Sequence, residues 1–516
     1  MEKSPPVVRD INVLASPDRR IFIRGVGLVG TGLLLSTLGG CEQLLKDIEH
    51  RPTRRWIGSG SHAVNHDLAI YTDAVNQMKG RTDTRSWATV AAIHGTAAAG
   101  FIWCQHGNDH FFDWHRGYLL NFERICQKLA RDPKFGLPYW NWNQNPDIPA
   151  PFLDSTSTLF SSRANNSMAA DPTGATTGAA LDPIFGDSNF YTFSSQLEGT
   201  PHNTVHTYIG GPDLFGGGGS ASDPLFWVHH CMVDYSWYKW NIELGNDNTS
   251  DPAWGDVVDS HYVDENGNPA SNSAFVSTLM PLLSYQYESS AIGSFAAQPP
   301  LRKKELQIVE QRVRRGADIK LVITHRLHVV DRLSVRIGKP VSLPATRRPE
   351  EIAAILGADL TREHVFASVE YAKLPASSDF AVRVFVNLPE ATRNTPMSDE
   401  HYAGSFAFFG TPVKDENAVA GAHHHAPKFL VNLSATLQRL QQRQELRSGT
   451  LSVQLVAVPF AGSFEREDTE VELTSVDIIT TPIIVRTLQQ EVPQCAPCAG
   501  GAPAGGTRAC WPYCCW

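Results

Sequence analysis

The placement of histidines limits this chain's folding more than any other feature. "WCQHGNDHFFDWHRGYLLNFERICQ", Trp103 to Gln127, sets His106, His110 and His115 among Trp, Phe and Tyr, with Cys104 two residues before the first. "LEGTPHNTVHTYIGG" adds His202 and His206, and "DPLFWVHHCMVDYSWYKW" adds His229 and His230. Imidazoles in so apolar a setting need partners, and one ion can serve several neutral ring nitrogens at once. A fold that satisfies them must bring distant segments together.

His202 and His206 stand four apart, so on a helix both leave the same face. A zinc protease would carry Glu after the first His as its base. Asn203 stands there, and two helix-face histidines without metal remain the alternative. His229 and His230 diverge by about 100° on a helix, so only one can join a given site. His230 shares its face with Phe226 and Asp234, and Asp234 is expected to support it as a carboxylate partner. The alternative here is a buried aromatic helix with polar ends. Gly107, Asn108 and Asp109 read as a turn. His106 should therefore project from a loop, and His115 should begin a helix running through Tyr118 and Phe122. His110 is read as structural. His94 lies on an upstream run, "WATVAAIHGTAAA", that looks helical.

A length of 516 residues suggests about three domains. The formal charge of −9 offers no footprint for nucleic acid. At the N-terminus, Arg19 and Arg20 precede an apolar run ending at Leu38. The run is shorter than the roughly 20 residues of a spanning helix and reads as a twin-arginine export signal over 1–41. "LGGC" resembles a lipoprotein box and makes Cys41 a candidate for lipidation. The mature protein is then expected to be periplasmic, lipid-anchored or secreted, with any cofactor loaded before export.

Residues 42–290 alternate helical runs with long Gly/Pro/Asn/Ser loops and read as a mainly α bundle. A linker, 291–318, contains "LRKKELQIVEQRVRRG", read as a polar helix. From 319 to 488 the chain alternates in strand fashion ("IKLVITHRLHVV", "LSVRIGKPVSL", "DFAVRVFVNLP", "LSVQLVAVPFAG", "TEVELTSVDIITTPIIV"). That pattern predicts an antiparallel β-sandwich. One helix, "NLSATLQRLQQRQEL", lies inside it, with Asn432 or Ser434 as cap. The tail, 489–516, holds five of the nine cysteines, too uneven a distribution for a disulfide framework. Cys126 and Cys231 are read as core.

With "LPYWNW" added, these histidine motifs resemble the type 3 copper proteins: tyrosinases, catechol oxidases and hemocyanins. The resemblance implies a four-helix-bundle dicopper core. His94, His106 and His115 would hold one copper, and His202, His206 and His230 the other, with O2 as co-substrate. Six imidazoles without a ligating carboxylate suit copper. Fungal tyrosinases and molluscan hemocyanins have the same Cys-x-His with the sulfur bonded to the ring, which implies a thioether from Cys104 to His106; a free buried thiol is the alternative. Glu198 and Asn203 match a Glu and Asn that hold a water near copper B in tyrosinases, while a helix N-terminal charge is the plain reading of Glu198. Where plant catechol oxidases place a bulky Phe over copper A, this chain has Gly216 to Gly219, so the pocket is expected to be open. Phe215 could fold back, but its register is wrong by about two residues.

Together these features imply a tyrosinase acting on small phenols. A catechol oxidase without hydroxylase activity, or a dioxygen carrier, is the alternative. Asp113 departs from the family's Pro, and Asn141 and Asn143 from its acid. "EHYAGSFAFFG" resembles the β-sandwich of hemocyanin units and latent polyphenol oxidases, which covers the site. That implies a lid whose plug is Phe406, Phe408 or Phe409. Cys495 and Cys498 form a CxxC that either delivers copper or forms disulfides. His423 to His425 are a copper relay or a solvated loop. Homo-oligomerisation stays open.

Overall fold

The computed structural model describes residues 51–484 except 212, 338, 346–348, 376, 378, 411–427, 447–449 and 461–469. The segment expected to be an export signal with Cys41, the triplet His423 to His425, and Cys495 and Cys498 lie outside the described residues.

The helices of the first part that bear on the site are α1 (His62–Lys79), α2 (Trp87–His94), α3 (Phe111–Ala130), α4 (Phe190–Leu197), α5 (Asn203–Gly210), α6 (Leu225–Tyr238), α7 (Ala274–Leu283) and α8 (Lys303–Arg315). Ser61, Ser86, Asn189 and Ser273 cap α1, α2, α4 and α7, each accepting a first-turn backbone N–H that would otherwise lack a partner. The run expected to stay helical to Ala99 stops at His94. Gly95 is extended there, and Gly95–Thr96 pairs antiparallel with Gly100–Phe101. This short hairpin is the first departure that matters for the site. α3 starts at Phe111, one turn before His115.

Between α4 and α5 the helix widens into a π turn, Glu198–His202. Pro201 lies inside it; it has no N–H to donate and would crowd the preceding turn. One wide turn relieves both problems. α8, expected in a linker, packs on the helical part, with Leu306 and Val313 buried in its core.

The second part is a sandwich of two antiparallel sheets. Its strands are β1 (His325–Arg336), β2 (Val341–Pro344), β3 (Glu363–Tyr371), β4 (Phe380–Val386), β5 (Tyr402–Ala407), β6 (Lys428–Asn432), β7 (Ser452–Pro459) and β8 (Glu470–Pro482). The sheets run β5-β4-β7-β2 and β6-β3-β8-β1, and their facing side chains form a separate hydrophobic core. The first strand begins at His325 rather than residue 319. The helix Ser434–Gln442 has Leu433 at its cap position. Asn432 instead accepts from the Ser434 backbone N–H at 2.9 Å, and the Ser434 hydroxyl accepts from Val365 N–H at 2.9 Å.

β5 is an edge strand, and its free edge lies on the π turn. Thr200 donates to the Ser405 carbonyl (2.9 Å) and Asn203 Nδ2 to the Ala407 carbonyl (2.8 Å). Gly199 faces Phe429 of β6 so closely that a Cβ would sit 2.8 Å from the ring. No helix among the described residues is long and apolar enough to cross a membrane.

Candidate metal centre

Six separate elements carry the six expected ligands into one buried volume. His94 ends α2, His106 projects from the loop after the hairpin, and His115 lies in α3. His202 ends the π turn, His206 lies in α5, and His230 in α6. Gly107, in the left-handed region at φ 67°, turns the chain just after His106, as the turn signal anticipated.

Five of the six rings are held from behind, whereas His230 Nδ1 is buried with no partner. His94 Nδ1 faces the Gly218 carbonyl (3.4 Å), His115 Nδ1 the Phe111 carbonyl (2.7 Å) and His206 Nδ1 the Phe215 carbonyl (2.9 Å). His202 Nδ1 faces Asn203 Oδ1 (2.9 Å), and His106 Nδ1 faces Glu198 Oε1 (3.1 Å). A carbonyl only accepts, so these contacts place the proton on Nδ1 and leave Nε2 as a bare lone pair. The Asn203 oxygen is fixed as acceptor because its amide group donates to Ala407.

The Nε2 atoms then point at one another. His230 Nε2 lies 3.3 Å from that of His202 and 3.1 Å from that of His206. His94 and His106 meet Nε2 to Nε2 at 3.3 Å. His115 Nε2 is buried without a partner, and ring nitrogens of His94, His115 and His230 lie within 4.8 Å of one another. Converging lone pairs repel unless a cation lies among them. A first-row metal about 2.0 Å from each of three nitrogens, arranged tetrahedrally, sets them about 3.3 Å apart. The donor set therefore fits metal, and six imidazoles fit copper. Burial drives all six rings toward the neutral form, His115 down to about 3, the state in which imidazole ligates.

Other expected residues divide. Cys104 is buried, with its sulfur in one 4.8 Å group with ring nitrogens of His94 and His106. Glu198 accepts from Gly107 N–H at 2.7 Å as well as facing His106. Burial pushes its carboxyl up to about 8, with the Gly107 N–H pulling the other way. His110 pairs with Asp113 at 3.3 Å, a structural role as expected. Asn141 and Asn143 tie down loops at Ser290, Ala291 and Thr176.

Asp234 is a correction. It does not support His230; its oxygens bond Arg54 (2.9 Å), Arg116 (2.5 Å), Tyr285 (2.7 Å) and Tyr287 (2.6 Å). Two buried guanidinium groups outcompete a neutral ring for a carboxylate. Only one of His229 and His230 was expected to join a given site, yet His229 is also drawn in, with a ring nitrogen within 4.8 Å of those of His202, His206 and His230.

The pocket is not open. Phe101 lies on His106 (ring centroids 4.5 Å, 27°), and Phe409 stacks on His206 (4.0 Å, 13°). Of the three plug candidates, Phe406 and Phe408 instead fill the sandwich core. Sequence reasoning missed Phe101 and the carbonyls of Phe111, Phe215 and Gly218. No side-chain pattern signals a carbonyl, whereas Gly95 and Gly100 bracketing an Ala run could have suggested the hairpin.

A family model described as the common central domain of tyrosinase matches residues 84–181 and 153–243. Tyrosinase HcTyr1 of Hahella sp. (strain CCB-MM4) is 27% identical over 475 residues, covering 79% of this chain and 94% of that protein. The chloroplastic polyphenol oxidase of Malus domestica is 25% identical over 484 residues, 82% of this chain and 78% of its own. Among solved structures, latent apple tyrosinase superposes with a TM-score of 0.55 at 20% identity, over 84% of this chain and 97% of that one. Recombinant latent aurone synthase gives 0.57 at 20%, over 84% and 90%. At such identities these structures show the fold.

Proposed function

Because the chain belongs to the type 3 copper proteins of the tyrosinase and polyphenol oxidase family, we propose that it is a tyrosinase. It would hydroxylate monophenols to o-diphenols and oxidise these to o-quinones with O2. The observation that carries the copper assignment is the convergence of the Nε2 atoms, with Nδ1 of every ring but His230 tied back. His94, His106 and His115 would hold one copper and His202, His206 and His230 the other. The bound pair would supply O2 capture and activation.

The chain's own residues do the rest. Phe101 and Phe226 pack against the imidazoles and exclude water. Glu198 is the base for the phenolic proton. Its Oε1 is committed to Gly107 and His106, so the proton passes to Oε2 or to a water there, a positioned transfer worth about 10²–10⁴-fold. Asn203 orients His202 through Oδ1, and Nδ2 holds that water once Ala407 withdraws.

The sandwich acts as a lid and makes the chain a zymogen, with Phe409 as plug. The thioether from Cys104 to His106 belongs to the same reading; intact mass would show the loss of two hydrogens. The four-helix bundle would be α1, α3, α5 and α6, within the domain limits 42–290, 291–318 and 319–488. Twin-arginine export belongs to the same reading, on Arg19 and Arg20 before the apolar run, with Cys41 a candidate for lipidation and Cys495 and Cys498 for either copper delivery or disulfides.

The test is oxidation of tyrosine and of catechol by copper-loaded protein, with and without limited proteolysis. Oxidation of both after proteolysis supports a tyrosinase. Catechol alone makes it a catechol oxidase, and neither makes it a carrier.

A further inference from the structure

The glycine run Gly216 to Gly219 was expected to leave room over the centre. It does something else. A Cβ on Gly218 would lie 2.6 Å from backbone atoms of Gly100, and one on Gly95 would overlap the carbonyls of Gly100 and Gly218. These glycines let the 216–219 loop lie flat on the hairpin 95–101, backbone to backbone. The space is filled by the hairpin, and the hairpin carries Phe101.

Phe101 lies face-on to His106 (4.5 Å, 27°) and edge-on to His94 (5.3 Å, 90°). Its ring centroid is 5.2 Å from that of Phe409, which itself stacks on His206. The plug therefore sits in an aromatic slot with His206 as one wall and Phe101 as the other. The lid is moulded to this wall: a Cβ on Gly410, at φ 110°, would meet the Phe101 ring at 2.5 Å. Yet Phe101 belongs to the helical part and stays when the lid leaves.

We propose that Phe101 is a specificity-determining residue that limits the width of the aromatic ring admitted to the centre. The inference rests on the copper-oxidase reading. A phenol ring taking the place of Phe409 would stack on His206 and press its far edge against Phe101. Single rings with an outward-pointing tail fit; rings broadened toward Phe101 do not. Removing the Phe101 ring opens that side alone, while the stacking surface on His206 is untouched.

The experiment uses the full-length, copper-loaded protein with Phe409→Ala to vacate the slot. Two non-oxidisable probes, benzoate and 1-naphthoate, are titrated by calorimetry, and catechol oxidation is followed in parallel. Adding Phe101→Ala should tighten 1-naphthoate about tenfold while benzoate changes less than about threefold, the scale expected when a pocket gains or loses small groups. Phe101→Leu, which keeps apolar bulk, should fall between and serves if the Ala variant does not fold. Parallel shifts for both probes, or no shift for either, would overturn the proposal. If no variant oxidises catechol, the oxidase reading fails separately, because the ratio of the two binding constants is still decided by titration.

Discussion

Replacing Gly199 by alanine should switch the protein on without touching a ligand. The new methyl would lie 2.8 Å from Cδ1 of Phe429. That ring cannot retreat easily: it is stacked on Phe406 (4.6 Å, 21°) and Tyr371 (5.1 Å, 14°), with Phe408 edge-on at 5.2 Å. Strain of this kind costs about 1–3 kcal/mol. The closed sandwich bears it and the opened one does not, so the open fraction should rise roughly 5- to 150-fold. The assay is the initial rate of catechol oxidation by the copper-loaded full chain, without protease or detergent. Gly80→Ala is the control, since its Cβ would meet only ordinary contacts, the nearest at 3.6 Å. Combining Gly199→Ala with Phe409→Ala should give less than the product of the single effects, because both act on one closed state. A folded, copper-replete Gly199→Ala protein with the activity and melting temperature of the parent would refute the reasoning.

Glu198→Gln keeps an acceptor for Gly107 but cannot take a proton, so tyrosine hydroxylation should fall about 10²-fold while catechol oxidation moves less than about threefold; the ratio of the two rates checks this. His206→Gln should reduce bound copper from two ions to one per chain by elemental analysis. Chelation should abolish oxidation yet leave far-ultraviolet circular dichroism unchanged, since backbone carbonyls hold His94, His115 and His206; copper should restore the rate. Asp234→Asn strips the shared carboxylate from buried Arg54 and Arg116, and should cost about 3–5 kcal/mol, read by denaturant unfolding.

Much of this was legible in the chain itself. The i, i+4 pair His202 and His206, the turn after His106 and the alternating strands carry their local geometry in their own residue order. Glu363–Tyr371 escaped notice because Ala367 and Ser368 interrupt its buried stretch from Val365 to Val369, whereas the equally buried Phe380–Val386 was legible from its β-branched and aromatic residues. The hairpin 95–101 was hidden by alanines, whose helix preference is overridden by glycines packing against a loop more than a hundred residues away. Asp234 was misassigned for a similar reason. Helical position places a side chain on a face, but its partner is decided by what else arrives there, here Arg54 and Arg116 from two other segments. Phe409 could not be told from Phe406 and Phe408 because a sandwich edge and its interior use the same residue type.

The bonds from Thr200 and Asn203 to Ser405 and Ala407 also guard against misassociation. Once they break, the terminal strand of a sheet stands bare, with carbonyls aimed at solvent and ready to template a neighbouring polypeptide. If the sandwich opens as proposed, such molecules should cluster at high concentration, so that awakening and stickiness would rise together.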